Sequence, residues 1–182
     1  NRVVGGIPTT IQGTLQANGQ VYIVNPNGIL IGPGGRINTA AFVASTLDVP
    51  DAQFMAGGDM RFSGNSLNGV VNLGSINATD GDVILMGHFV QNAGTISAPN
   101  GTAALAAGND ILLQPAGDER VVVNSGIPSG GNGVENSGRI EAARAELKAA
   151  GGSVYALAIN NTGVVKATGI AQTDGRIMLS SD

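Results

Sequence analysis

The sequence predicts an all-β fold, a right-handed parallel β-helix in which short strands wind into stacked coils of about 20 residues. The first observation is a recurring segment of the form small residue, Gly, any residue, apolar residue, any residue, Ala, which occurs four times. The second is composition, since the 182 residues include 29 Gly, 3% aromatic and only 12% charged residues. Such small and β-branched side chains suit the narrow interior of a stack of thin coils.

The spacing of the four copies is that of a coil repeat. Their glycines are Gly74, Gly94, Gly138 and Gly163. The first spacing is 20 residues (94 − 74) and the last is 25 (163 − 138), while the middle spacing of 44 (138 − 94) holds two units with an insertion. Looser copies begin at Gly13 and Gly35, so the pattern covers nearly the whole chain. At this period the chain predicts about eight or nine coils.

Each copy predicts a strand with one buried face, because apolar and polar residues alternate within it, as in Ile96-Ser97-Ala98. A second apolar run follows each copy after a short turn, as at residues 82–86. One coil cannot bury its own apolar face. We therefore expect like residues of successive coils to lie on top of one another.

Two segments, 50–65 and 114–135, interrupt the period and are predicted to be insertions. Residues 54–62 (FMAGGDMRF) predict two short strands around a turn, a hairpin that projects from the solenoid. In the second insertion, residues 121–123 predict a strand flanked by excursions, and we expect the excursion at residues 129–133 to be mobile. Residues 142–150 (AARAELKAA) have good helix propensity, but the following glycines and the repeat phase favour a strand and a turn.

Charge and composition exclude several classes of function. The net charge is −4 and only nine Lys and Arg are present, so the chain lacks a basic stripe for nucleic acid. The absence of Cys excludes disulfides, thiolate metal sites and cysteine nucleophiles. No run of about 18 apolar residues occurs, so no transmembrane helix is predicted.

The sequence contains few residues suited to catalysis. His88 is the single histidine and has no nearby carboxylate in sequence to orient it. The remaining candidates are acidic residues, namely Asp80, Asp82, Asp118, Glu119 and Asp174. They do not recur at coil spacing, which favours solvated turn positions over a catalytic or calcium cluster. We expect no enzymatic activity, no cofactor and no metal.

The segment Asn25-Pro26-Asn27-Gly28-Ile29 breaks an otherwise β-forming stretch and predicts a buried, polar, tight turn. Each asparagine side chain offers two donors and two acceptor sites, so Asn25 and Asn27 can tie this corner to adjacent coils.

This pentapeptide and its flanks, residues 13–21 (GTLQANGQV) and 44–48 (ASTLD), closely resemble the haemagglutination activity or two-partner secretion domain of large Gram-negative exoproteins such as filamentous haemagglutinin. The resemblance extends from Asn1 to about Asp48. It implies the export-directing domain of an adhesin-like virulence protein, secreted or placed on the cell surface by way of the periplasm. It implies a partner, an outer-membrane β-barrel transporter with POTRA domains, and a secretion role for Asn25, Pro26, Asn27, Gly28 and Ile29.

Family domains begin with a segment that caps the first coil, whereas this chain begins at Asn1 inside the pattern. We therefore expect residues 1–182 to be one partial domain that lacks its amino-terminal cap. We also expect the chain to be a monomer. Two alternatives stay open at this point. One is a structural adhesin rod that binds host cells or glycans, and the other is a carbohydrate-active β-helix enzyme that uses Asp80 or Asp82.

Overall fold

The computed structural model describes residues 1–117, 119–125, 133–149, 158–168 and 177–181, with the backbone alone at 125 and 177–181. Equivalent strands of successive coils pair in parallel, which confirms the predicted β-helix. No helix in this part of the chain is long and apolar enough to cross a membrane.

The described residues form six coils, each built from up to three strands. In chain order the elements are β1 (Thr9–Ile11), β2 (Thr14–Gln16) and β3 (Gln20–Val24) in coil 1; β4 (Ile29–Ile31), β5 (Arg36–Thr39) and β6 (Ala41–Ser45) in coil 2; α1 (Asp51–Ala56) and β7 (Met60–Ser63) outside the coils; β8 (Val70–Asn72), β9 (Ser75–Ala78) and β10 (Val83–Gly87) in coil 3; β11 (Val90–Asn92) and β12 (Thr95–Ala107) in coil 4; β13 (Asp110–Leu113) and β14 (Val121–Ser125) outside the coils; β15 (Val134–Asn136) and β16 (Arg139–Ala149) in coil 5; and β17 (Ile159–Asn161), β18 (Val164–Ala167) and β19 (Ile177–Ser181) in coil 6.

The strands of the coils stack into three parallel faces. The first face has the order β1-β4-β8-β11-β15-β17. The second begins with β2-β5-β9 and the third with β3-β6-β10, and the long strands β12 and β16 bend from one face into the other. Because every strand of a coil pairs with the equivalent strand of the next coil, equivalent side chains contact one another along the axis.

The interior of the stack is an aliphatic core, as the repeat predicts. On the second face, Ile37, Ile76, Ile96 and Ile140 lie in register and are all buried. The third face has an equivalent stack of three buried leucines in register, Leu85, Leu105 and Leu147. Removing one such side chain from a core of this kind costs about 2 to 5 kcal/mol.

The repeat glycines form a second stack, at the turn between the first and second faces. A Cβ atom added at Gly94 would lie 2.1 Å from the carbonyl oxygen of Gly74, and one added at Gly138 would lie 2.1 Å from that of Gly94. Any larger residue would push the coils apart here. The glycine in the sequence pattern is therefore required by close approach of the backbones.

β7 of the first predicted insertion and β14 of the second form one antiparallel sheet with β13, in the order β14-β13-β7. β13 lies before residue 114, so the second insertion begins earlier than predicted. The apolar residues of this sheet, Met60, Phe62, Ile111, Leu113 and Val121, form a second buried cluster with outward-facing residues of the third face, among them Val43, Ile84, Met86, Ala104 and Ala106. The sheet thus lies flat against the coils. The prediction that residues 54–62 project from the solenoid is wrong, because the alternating apolar side chains of β7 bury themselves on that outer face.

The first half of that predicted hairpin is also not a strand. Residues Asp51–Ala56 form α1, with Pro50 at its N-cap and Gly57 at its C-cap with φ 65°. The helix contains no β-branched residue and has Asp51 in its first turn, both of which favour helix over strand.

A buried charged cluster fastens the antiparallel sheet to the coils. The carboxylate of Glu146, fully buried in β16, accepts the backbone N–H groups of Arg120 at 2.8 Å and Val121 at 3.1 Å. Nζ of Lys148 donates to Oε2 of Glu119 at 3.0 Å. Nε of Arg120 donates to Oδ2 of Asp82 at 2.7 Å. Residues of coils 3 and 5 therefore hold the same segment of the inserted sheet.

The described residues contain six coils and not eight or nine, because the segments between β6 and β8 and between β12 and β15 build the inserted sheet instead. Residues 121–123 lie in β14 and residues 142–149 lie in β16, so both are strands as predicted. The excursion at residues 129–133 lies outside the described residues except for Gly133.

Candidate functional site

The segment Asn25–Ile29 is the corner that leads from coil 1 into coil 2, and it forms the tight turn that its sequence predicts. The N–H of Gly28 donates to the carbonyl oxygen of Asn25 at 3.1 Å, which closes a β-turn. Gly28 has φ 107°, a backbone conformation that L side chains rarely adopt. Ile29 then enters β4 with its side chain in the aliphatic core.

The side chain of Asn25 is fully buried and uses every hydrogen-bonding site it has. Its Nδ2 donates to the carbonyl oxygen of Ile7 at 3.0 Å and to Oγ1 of Thr9 at 2.8 Å. Its Oδ1 accepts the backbone N–H of Asn27 at 2.9 Å and Nδ2 of Asn27 at 3.0 Å. Asn25 therefore joins the turn to the segment that precedes β1 and to Thr9, the first residue of β1.

Asn27 and Pro26 extend these links to both sides. Nδ2 of Asn27 donates to the carbonyl oxygen of Gly5 at 2.6 Å. The carbonyl oxygen of Pro26 accepts Oγ of Ser66 at 2.6 Å and Nδ2 of Asn68 at 3.0 Å. Three segments far apart in sequence are thus joined at this corner, residues 5–9, 25–28 and 66–68.

A second set of asparagines, which the sequence analysis missed, runs along the inside of the first face. Nδ2 of Asn72 donates to Oδ1 of Asn92, Asn92 donates likewise to Asn136, and Asn136 to Asn161, each at 2.7 Å. We call these four residues the asparagine ladder. Each stands two residues before a repeat glycine, so extending the sequence pattern by two positions would have found it.

The carboxylates and the histidine considered for catalysis are dispersed. Asp82 is held by Arg120 and also accepts the backbone N–H of Thr102 at 2.8 Å. Asp80 is exposed, and His88 lies half-buried in the turn between β10 and β11. Asp118 and Asp174 lie outside the described residues. Within the part of the chain that is described, no three His, Cys, Asp or Glu residues are grouped to hold a metal ion.

Comparisons with known proteins agree with this architecture. The family model of the TPS secretion domain matches residues 1–182. A heme/hemopexin-binding protein of Haemophilus influenzae is 35% identical over 192 residues, which cover 100% of this chain and 21% of that protein. Another heme/hemopexin-binding protein of Haemophilus influenzae is 53% identical over 49 residues, 27% of this chain and 5% of that protein.

Among solved structures, the crystal structure of the HMW1 secretion domain from Haemophilus influenzae matches with a TM-score of 0.78 and 29% identity, over 100% of this chain and 50% of that chain. The chain therefore spans about a fifth of the length of its longer-matching curated relative and half of the solved domain. The presence of a domain of this family implies that a partner transporter lies in the outer membrane. Since the family model and the solved domain both match over its whole length, the chain belongs to the TPS secretion domain family, whose members are parts of exoproteins secreted across the outer membrane.

Proposed function

We propose that this chain directs the export of the exoprotein that contains it, and that the partner transporter recognises it through the Asn25–Ile29 corner. The observation that carries the proposal is the bonding of that corner, where side-chain amides join three distant segments. The corner bonds both to a segment that precedes it, residues 5–9, and to one that follows it, residues 66–68. A signal that must be recognised in one place requires such a non-repeating feature.

The partner in this proposal is an outer-membrane β-barrel with periplasmic POTRA domains. Such a transporter works without a nucleotide, so the protein itself must supply the free energy for outward movement. Each coil that stacks outside the cell buries apolar side chains against the previous coil, and this stabilises the exported chain relative to the chain still in transit. The β-helix thus completes its folding during secretion.

This function requires no catalysis, and we propose that the domain is not an enzyme. Asp82, one of the two carboxylates considered for a β-helix enzyme, is engaged by Arg120 and by the backbone of Thr102. It fixes the inserted sheet in place. These contacts favour a structural role for the acidic residues of coil 3.

A secretion assay tests the proposal. The exoprotein is expressed with its transporter, and the fraction of protein outside the cell is compared between the natural sequence and the double variant Asn25→Ala/Asn27→Ala. We expect export to fall at least about tenfold. The matched control is Asn161→Ala, which removes an exposed asparagine at the end of the ladder.

Undiminished export of a folded double variant would remove the corner from the mechanism. If the domain binds host cells or glycans while export proceeds without the transporter, the adhesin-rod alternative is favoured instead.

A further inference from the structure

The outward side of the second face is polar and lies in solvent. The inserted sheet covers the third face and leaves this side of the coils open. Two rows of outward-facing residues lie in register along it, one formed by Arg36, Ser75, Thr95 and Arg139 and the other by Asn38, Asn77, Ser97 and Glu141. We call these eight residues the polar platform.

Most side chains of the polar platform have no partner within the chain. Apart from Arg139 and Glu141, none of them makes a hydrogen bond or an ion pair with another residue that the structure describes. Asn38 and Asn77 lie in register as the ladder asparagines do, but unlike those they do not bond to each other. The platform therefore presents amide and hydroxyl groups that a ligand can engage.

The platform side of the coils is cationic, although the net charge of the chain is −4. Arg36 is the single charged residue between positions 3 and 47, and it makes no ion pair with any described residue. On the same side, Arg139 and Lys166 share one carboxylate, that of Glu141, each at 2.9 Å. Cations outnumber carboxylates here, which favours an anionic ligand.

A shallow, open groove runs along the edge of the platform, over the glycine stack. Its volume is about 490 Å³, within the range of roughly 300 to 1,000 Å³ that is typical of small-ligand sites. Residues that follow the stacked glycines line one side with polar groups, and residues that precede them line the other side, namely Pro33, Leu73 and Ala93. The groove thus offers polar groups on one side and apolar atoms on the other.

The two arginines stand at opposite ends of this groove. Arg36 belongs to coil 2 and Arg139 to coil 5, and the hydroxyl side chains of Ser75 and Thr95 lie in register between them. Three coil spacings of about 4.8 Å place the two arginines about 14 Å apart along the axis. A linear ligand with anionic groups at about this separation contacts both guanidinium groups at once.

The backbone at the floor of the groove selects against a peptide. The carbonyl oxygens of Gly74 and Gly94 already accept the N–H groups of Thr95 and Arg139, each at 2.9 Å. An extended peptide binds chiefly through backbone hydrogen bonds, and these carbonyls are engaged. A sugar chain bonds through its hydroxyls to side chains instead, and the C–H groups of its rings pack on apolar atoms such as those of Leu73.

We propose that the groove and the polar platform bind an acidic oligosaccharide, whose carboxylate or sulfate groups pair with Arg36 and Arg139 and whose hydroxyls bond to the side chains between them. This inference goes beyond export and does not rest on it. The site requires coils 2 to 5 to be stacked, so in a chain that folds during secretion it forms outside the cell.

A binding measurement on the full secreted exoprotein tests the site. The acidic probes are a heparin-derived hexasaccharide, which carries sulfate and carboxylate groups, and hexagalacturonate, which carries carboxylates alone, while maltohexaose is the neutral probe. We expect the acidic probes to bind and maltohexaose not to bind. The variant Arg36→Gln/Arg139→Gln should bind the acidic probes at least about tenfold more weakly, because charge-assisted hydrogen bonds are lost at both ends.

Two further variants separate the site from general electrostatic attraction. The matched control Arg2→Gln/Arg61→Gln removes two arginines that are paired with aspartates elsewhere, so it changes the net charge equally and should bind normally. Asn77→Ala changes no charge and should weaken binding about threefold by removing a hydrogen-bonding side chain. Export of Arg36→Gln/Arg139→Gln should equal that of the natural sequence, so failure of this site and failure of the export function are distinguishable.

A fourth probe assigns the source of the ligand. The core oligosaccharide of the producing bacterium's own outer membrane carries acidic sugars, as does the heparin fragment that stands for glycans of a host cell. Tighter binding of either one, abolished by Arg36→Gln/Arg139→Gln, supports the site and identifies the surface on which it acts.

Three outcomes would overturn the inference. The natural sequence could fail to bind every acidic probe at millimolar concentration. It could bind maltohexaose as tightly as hexagalacturonate, which would exclude a role for charge. The variant Arg36→Gln/Arg139→Gln could bind as the natural sequence does, which would place any glycan binding elsewhere in the exoprotein.

Discussion

Asn25 of the corner and the ladder residues Asn72, Asn92 and Asn136 are all fully buried, but the corner and the ladder bond to different kinds of partner. In the ladder, each amide bonds to a copy of itself in the next coil, for example Asn92 to Asn136 at 2.7 Å. At the corner, Asn25 and Asn27 bond to backbone carbonyls of a segment outside the repeat. The ladder therefore sets the register between coils, whereas the corner marks one place in the chain.

The first two coils show that the ladder is replaceable. Ile11 and Ile31 occupy its position in coils 1 and 2, and Ile31 lies in register with Asn72. This position can hold either residue type along the stack. Asparagine amides hydrogen-bond to the amides of the next coil, and isoleucine side chains pack on one another. The corner has no such equivalent.

The largest effect is expected in the middle of the ladder. Asn92→Ala leaves a donor of Asn72 and the acceptor of Asn136 buried without their partner, and we expect a loss of about 4 kcal/mol in the free energy of unfolding, measured in denaturant. Replacing all four ladder residues by Val should restore most of that stability, since both partners of each bond between ladder side chains are then removed and only the bonds of Asn72 to the backbone of Gly74 and Thr95 are lost without replacement. A quadruple variant less stable than Asn92→Ala would show that the ladder is not interchangeable with an aliphatic stack.

A glycine beside the ladder, Gly94, should also be more costly to replace than Gly28 in the corner. Gly94→Ala places a Cβ 2.1 Å from the carbonyl oxygen of Gly74, and forcing the coils apart should cost about 3 kcal/mol. Gly28→Ala meets no atom closer than 3.6 Å and suffers only from its φ of 107°, at about 1 to 2 kcal/mol. Denaturant unfolding of the two variants side by side measures the difference. Equal losses would contradict the close packing of the glycine stack.

At the corner itself the expected loss of stability is smaller. Asn25→Ala removes bonds to Ile7, Thr9 and Asn27 that lie near the surface, and we expect a loss of about 2 kcal/mol. Asn25→Asp keeps the acceptor but loses both donors, so it should not rescue the turn. Thermal or denaturant unfolding measures both variants. An Asp variant as stable as the natural sequence would mean that the donors contribute nothing.

The smallest effect is expected at the end of the ladder. Asn161 is exposed and only accepts from Asn136, so water can replace the lost bond in Asn161→Ala. We expect a change in unfolding free energy of less than about 1 kcal/mol. A loss as large as that of Asn92→Ala would contradict the dependence on burial.

The repeat made most of the coil architecture predictable. Gly74, Gly94 and Gly138 fixed the register in the sequence, and the same glycines touch across coils in the structure. The ladder asparagines recur at the same spacing as the glycines, but they stand two residues before the glycine in each copy and were outside the compared pattern. A periodic fold shows its periodic contacts in the sequence, since each contact is repeated.

The features outside the repeat could not be predicted in the same way. Nothing local to Asn25 indicates that its partners are Ile7 and Thr9, which precede it by 18 and 16 residues. The placement of the inserted sheet likewise depends on Glu146, 25 residues beyond Val121. Single, long-range contacts leave no pattern to compare, and α1 was missed because two flanking glycines suggested a hairpin turn.

We propose that the corner serves recognition and the ladder serves the fold. The most direct test compares export, with the transporter present, of Asn25→Ala and of a ladder variant chosen to have the same unfolding free energy, such as Asn72→Ser or Asn136→Ser. We expect the corner variant to lose export at least about tenfold while the ladder variant of equal stability is exported normally. Equal export of the two variants would contradict it and would reduce the corner to one more contribution to stability.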